Sequence, residues 1–203
     1  AGNHDCNLNN RSRMDCLSPI VDNLKHPNLH YLKDTGVYKC ADVSFVVWDV
    51  WDNKKDYIKA KDVEGDTKIV LFHGTVDKCQ TDLGFRLPSD VKITQFRGYD
   101  LGLLGDIHKR QHLNKSETIS YCGSLVQQNH GEGLSHGYLL WDVPTRKSKY
   151  IEILNDYGYY TLDINKGVVP EVDNMPKKAR LRVRVANTSA TELKKALAII
   201  HNK

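Results

Sequence analysis

The chain has 203 residues, of which 40% are hydrophobic and 27% charged, and carries a formal net charge of +4 at pH 7. These proportions suit a globular protein of one large domain, or one domain and part of another, and exclude collagen-like or low-complexity chains. No apolar run reaches the roughly 18 residues that a membrane-spanning helix needs, and the mild basic excess permits a polyanionic partner without demanding one.

The chain opens on Gly2-Asn3-His4-Asp5, which joins a conformationally free glycine, an amide oxygen, an imidazole and a carboxylate. A polar loop so placed implies a chain cut from a longer one, with no secretory leader at its polar start. Ser12-Arg13-Met14-Asp15 has capping-box spacing and Ser18-Pro19 offers a second start, so one or two short helices are expected over 12–24. Strand-like runs rich in β-branched and aromatic residues follow at 36–41, 43–50, 68–72, 99–104, 118–122, 138–143, 150–154 and 159–164. Phe45-Val46-Val47-Trp48 and Ile69-Val70-Leu71-Phe72 are apolar on both faces, as in strands covered on both sides in a layered α/β or sandwich core. Tyr150-Ile151-Glu152-Ile153 alternates and keeps one wet face.

Composition changes over 168–178, where Pro170, Asp173, Asn174 and Pro176 mark a linker. Arg180-Leu181-Arg182-Val183-Arg184-Val185 then reads as a period-2 strand. Ser189-Ala190-Thr191-Glu192 is a capping box for a helix carrying Leu193, Ala196, Leu197 and Ile200 on one stripe. One strand and one helix cannot make a core. The expected organisation is therefore a first domain over 1–167 and, over 168–203, a linker and the start of a second, cut short at its end.

Cys6, Cys16, Cys40, Cys79 and Cys122 are odd in number and unclustered, which points to free thiols in a reducing, intracellular compartment, cytoplasm or nucleoid. The hard-metal donors are more telling. His73-Gly74 closes one apolar strand, and Gly105-Asp106-Ile107-His108 closes another. Ligands gather beyond the carboxyl ends of strands in layered α/β proteins, and glycine there lets the backbone turn sharply. Asn3, His73, Asp106 and His108 offer only O and N donors, which suit Mn²⁺ or Mg²⁺ better than a structural zinc. Lys109 and Arg110 adjoin them where phosphates would enter. Arg180, Arg182 and Arg184 share a strand face that could follow a phosphate backbone.

The order Gly-Asn-His-Asp, strand-His73-Gly74 and Gly105-Asp106-Ile107-His108-Lys109-Arg110-Gln111 resembles the calcineurin-like metallophosphoesterases. With Tyr121-Cys122-Gly123-Ser124 and His136-Gly137-Tyr138-Leu139-Leu140, it is most similar to their SbcD-type DNA double-strand-break repair nucleases. The resemblance implies an α/β fold, the C-terminal part of a layered α-β-β-α metallophosphoesterase sandwich followed by the start of a small α+β capping domain. It implies a two-metal Mn²⁺ site, Mg²⁺ being an alternative. Asn3 and His73 would hold one ion and His108 the other, and Asp106 would be a ligand where the family has histidine. His4 would act on the scissile phosphate or the leaving oxygen. The added charge of Asp106 would raise the pKa of a metal-bound hydroxide. The family's Asp-x-His and Gly-Asp-x-x-Asp motifs are absent, so the fragment alone would be inactive.

The function so implied is metal-dependent hydrolysis of DNA phosphodiesters at DNA ends in recombination and repair. The implied partners are DNA, an SbcC-type coiled-coil ATPase and a second copy of the complete protein, with no membrane. Two alternatives stand beside it: a calcineurin-like phosphatase or cyclic phosphodiesterase on small phosphoesters, and a DNA-end-binding scaffold whose site has decayed.

Overall fold

The computed structural model describes residues 1–172 and 174–201. Asp173 of the expected linker, and the last two residues of the expected second domain, lie outside them. The chain divides into two compact units, Ala1–Ser124 with Gly137–Ile151, and Leu125–His136 with Glu152–Lys203.

In the first unit, α1 (Ser18–Leu24) precedes β1 (Gly36–Cys40) and β2 (Val43–Trp48). Then come β3 (Thr67–His73), β4 (Leu101–Gly105), β5 (Gln111–His112) and β6 (Ile119–Tyr121). These six strands form one sheet in the order β1-β2-β3-β4-β6-β5. β1 and β2 are an antiparallel hairpin across Ala41 and Asp42, where Ala41 takes the positive φ (51°) that tight hairpin turns require. β2, β3, β4 and β6 are parallel and follow one another across the sheet in chain order. β7 (Gly137–Asp142) and β8 (Lys147–Glu152) form a separate two-stranded sheet.

This architecture overturns the expected α-β-β-α sandwich. Parallel strands are usually joined by helices, yet the crossovers from β2 to β3 and from β3 to β4 contain only 3₁₀ turns, Ala60–Asp62 and Ile93–Phe96. Among the described residues there are two α-helices. α1 buries none of its residues, and α2 (Ala190–His201) belongs to the second unit. The strands therefore stack in sequence like coils of a β-solenoid, without a helix layer. The physical reason lies in the crossovers, which lack a 3.6-residue apolar period and cover the sheet with single side chains. Val46, Trp48, Val70, Phe72, Leu104 and Tyr121 from the strands pack with Val76, Cys79, Val91, Phe96 and Tyr99 from the crossovers. With the sandwich goes the membership of the calcineurin-like metallophosphoesterases and their SbcD branch that it was to house.

The helix expected from Ser12 does not form; residues 11–13 are turn and bend. Asp15 caps α1 instead. Its Oδ1 accepts the amides of Leu17 (2.9 Å) and Ser18 (2.8 Å), and its Oδ2 accepts the Ser18 hydroxyl (2.7 Å). Lys33 Nζ lies 2.6 Å from Oδ2, and Tyr31 donates to Oδ1 at 3.2 Å. The carboxyl is 2% exposed. Burial alone would raise its pKa, but the Lys33, Ser18 and Leu17 donors outweigh burial and hold it far below the ordinary carboxylate range.

In the second unit β9 (Tyr157–Asn165) pairs in parallel with β10 (Lys178–Ala186) along its whole length. Leu162, Ile164 and Ala196 form its core, against Leu181, Val183, Leu193 and Ile200. The capping box of α2 forms as its spacing predicts. Ser189 Oγ accepts the Glu192 amide (3.3 Å), and Glu192 Oε2 accepts the Ser189 amide (2.8 Å). Among the described residues no helix is long and apolar enough to cross a membrane.

Asp15→Ala strands Lys33 and two amides, and should cost about 3–5 kcal/mol in urea unfolding at pH 7. Because the folded pKa lies below the ordinary value of 3.8, the Asp15 contribution is fully present above that value and is lost as pH falls through and below it. The Ala variant should show a shallower acid limb than the parent between pH 5 and 2.

Candidate metal-binding site at the strand ends

β3 and β4 end side by side, with His73 opposite Gly105 in the register. The His73 ring lies between two glycine backbones. A Cβ at Gly2 would sit 2.6 Å from His73 Cε1, and one at Gly105 would sit 2.8 Å from Nδ1. Only hydrogen fits at either place. Asp106 follows in a left-handed conformation (φ 89°), which aspartate tolerates better than most residues.

Three hard donors converge here. His73 Nε2 is 3.1 Å from Asn3 Oδ1 and 3.6 Å from Asp106 Oδ1. The opening loop is locked in place by its own carboxylate. The Gly2 amide donates to Asp5 Oδ2 (2.7 Å), the Asp5 amide to Gly2 O (3.0 Å), and the Cys16 amide to Asp5 O (2.8 Å). On the other side Tyr121, fully buried, donates to Gly74 O (2.7 Å) and accepts the Val76 amide (2.9 Å), which fixes the turn after His73. Burial lowers the His73 pKa and outweighs the opposing pull of Asp106.

Other expected residues are placed differently. His4 is exposed beside Asn3. His108 lies past the end of β4, where its carbonyl accepts the Ser124 amide (3.2 Å). Gly123 packs so closely there that a Cβ would come within 2.8 Å of that carbonyl. Among the described residues no group of three or more His, Cys, Asp or Glu side chains could hold a metal; the cluster depends on the Asn3 amide for its third donor. Arg110 is stacked on Tyr150, 4.1 Å from the ring centroid, and Lys109 is half-buried beside it. In the second unit Arg180, Arg182 and Arg184 share an exposed face of β10. Arg184 is held by both oxygens of Asp163 (2.7 and 3.0 Å), and Arg180 by the Tyr159 hydroxyl (3.2 Å).

Asp49 escaped the sequence reading. It follows β2 just as His73 closes β3, and with His73, Asp5 and Lys33 it lines a cavity of about 310 Å³. It is 2% exposed. Its Oδ1 accepts the Val50 amide (2.7 Å), while Oδ2 has no hydrogen-bond partner, with Arg11 Nη2 at 3.8 Å. Burial raises its pKa. The signal was available: a carboxylate directly after the apolar run Phe45-Val46-Val47-Trp48.

The chain is thus a β-rich protein with a strand-end cluster of hard donors. No family model matches it. It is similar to an uncharacterized protein of Acanthamoeba polyphaga mimivirus, with 40% identity over 208 residues, covering 97% of this chain and 15% of that protein.

Gly105→Ala should drive the new methyl into His73, costing about 1–3 kcal/mol and shifting the His73 imidazole resonances. Gly133→Ala, which meets nothing within 4 Å, should leave both unchanged. Because the folded pKa of His73 lies below its ordinary 6.5, the unfolded chain binds the proton first as pH falls. Stability should therefore decline as pH drops below about 6.5 and level off beneath the folded value. Thermal unfolding in chelator from pH 7.5 to 5 measures this, and His73→Gln should flatten the slope.

Proposed function

We propose that Asn3, His73 and Asp106 hold a hard divalent cation, Mn²⁺ or Mg²⁺, and that the chain takes part in metal-dependent hydrolysis of DNA phosphodiesters. The observation that carries this reading is the approach of Asn3 Oδ1 and Asp106 Oδ1 to within 3.1 and 3.6 Å of His73 Nε2. Cis donors around an ion with ligand distances of about 2.1 Å lie about 3 Å apart, so the spacing fits the group without rebuilding the site. Three protein ligands leave positions open for water and phosphate oxygens. A cation bound there would polarise a phosphoryl oxygen and acidify bound water.

The chain's own groups supply the rest. A cation would take the place of the proton through which His73 Nε2 meets Asn3 Oδ1. Asp106 contributes the negative charge, and its left-handed backbone turns that charge back toward His73. His4, exposed next to a ligand, is placed to give a proton to a leaving oxygen. Lys109 adds positive potential at the entrance. The Arg180, Arg182 and Arg184 face of the second unit would follow the DNA backbone. The SbcC-type ATPase and the dimer came with the family resemblance alone and form no part of this reading.

Mn²⁺ should bind the chain saturably in calorimetry or by electron paramagnetic resonance, and Asp106→Ala and His73→Gln should each weaken it at least about tenfold. Cleavage of linear duplex DNA should need Mn²⁺ and be lost in both variants. Unchanged Mn²⁺ affinity in Asp106→Ala would remove the cation site. Retained affinity without cleavage of duplex, hairpin DNA or a chromogenic phosphodiester would remove the hydrolytic role and leave a binding protein.

A further inference from the structure

A second cavity, of about 320 Å³, opens in the first unit between the β2–β3 crossover and the 3₁₀ turn that precedes β4. Its charged lining is entirely basic: Lys54, Lys59, Lys61 and Arg97. Asp56 and Asp62 are near in sequence but do not line it. None of the four cations takes part in an ion pair among the described residues. Lys54, Lys59, Lys61 and Arg97 are exposed, and four like charges around one cavity favour a multiply charged anion.

The remaining wall is aromatic. Trp48 and Tyr57 stack at 4.6 Å with their planes 5° apart, and both line the cavity. The wall is held rigid. Ile58 O accepts both Trp48 Nε1 (3.1 Å) and the Tyr99 hydroxyl (2.6 Å), and Lys68 Nζ donates to Ala60 O (3.0 Å). A pocket fixed before binding spends little of its affinity on ordering itself. Gln95 also lines the cavity, and with its Oε1 engaged by the Lys92 amide (2.8 Å) its amide nitrogen is left as a donor.

We infer that this cavity binds a nucleoside phosphate, the base against Tyr57, with Trp48 stacked behind it, and the phosphate among Lys54, Lys59, Lys61 and Arg97. Its volume lies at the small end of ligand pockets, about 300–1,000 Å³, which suits a mononucleotide rather than a longer chain. A bare inorganic anion would leave the aromatic wall unused, and an uncharged aromatic would leave four cations facing one another. The inference does not rest on the hydrolytic reading, because none of Asn3, His73 and Asp106 lines this cavity.

Calorimetric titration of the chain with adenosine 5′-monophosphate tests it, with adenosine and ribose 5-phosphate as the two half-ligands. The mononucleotide should bind saturably with Kd below about 1 mM, and each half-ligand at least about tenfold more weakly. Lys59→Glu with Arg97→Glu should weaken mononucleotide binding at least about tenfold while circular dichroism and the unfolding midpoint stay unchanged. Should that pair lower the midpoint, Lys59→Gln with Arg97→Gln takes its place under the same criterion. Asp106→Ala should leave mononucleotide binding intact. No saturable binding up to about 10 mM overturns the proposal. So does binding that survives loss of the cations in a folded variant, and so does binding abolished by Asp106→Ala, which would put the ligand at the strand-end cluster.

Discussion

The register between β3 and β4 sets His73 directly opposite Gly105, and the chemistry at this end of the sheet depends on that alignment. A parallel ladder fixes where each strand stops relative to its neighbour, so the first polar residue after each strand arrives at a common edge. A slip of one residue would turn every side chain of the strand to the other face. In β3 it would turn Phe72, which is 7% exposed, out of the aromatic core. The apolar cost of the slip protects the polar geometry. Gly2 and Gly105 complete the constraint by allowing backbones to approach the imidazole where any methyl would collide.

Two buried carboxylates illustrate how satisfaction separates structure from chemistry. Asp15 and Asp49 are each 2% exposed. Asp15 is saturated by amides, a hydroxyl, a phenol and an ammonium, and its charge is stable in place. Asp49 has an oxygen that accepts nothing and faces the cavity that His73 also lines. An unsatisfied buried carboxylate costs free energy that a purely structural role would not repay. Its pKa is raised in consequence, whereas that of Asp15 is lowered. Burial is the same for both; the donors decide.

Much of the strand inventory was legible because the local signal is strong. Val43–Trp48, Thr67–His73 and Lys178–Ala186 are apolar runs or strict alternations, and each is a strand. The layering was not legible. The sandwich was what the family resemblance implied, and the two-sided apolar strands agreed with it, but Val76, Val91, Phe96 and Tyr99 cover those strands from irregular crossovers. Likewise His73 and Asp106 could be found because each closes an apolar run beside a glycine. That pattern belongs to many parallel strand ends, which is why it suggested a family that the fold does not support. Asp49 and the basic cavity depend on residues far apart in sequence, such as Lys59 and Arg97, and no short motif encodes them.

Trp48 links these observations. It is the last residue of β2, 2% exposed, and contributes to the walls of both cavities, the one with His73 and the basic one. Its indole stacks on Tyr57 and meets Phe72 and Tyr99 edge-on, at 5.9 Å each. Such a packed aromatic group has few alternative rotamers, because each would displace several rings at once. The partition between the two cavities is accordingly a rigid part of the core rather than a mobile surface. The ligand chemistry of each side can then differ, with Asp5, Asp49, His73 and Lys33 on one and lysines and an arginine on the other. A single buried tryptophan at a strand end lets one small sheet keep two cavities of different lining apart.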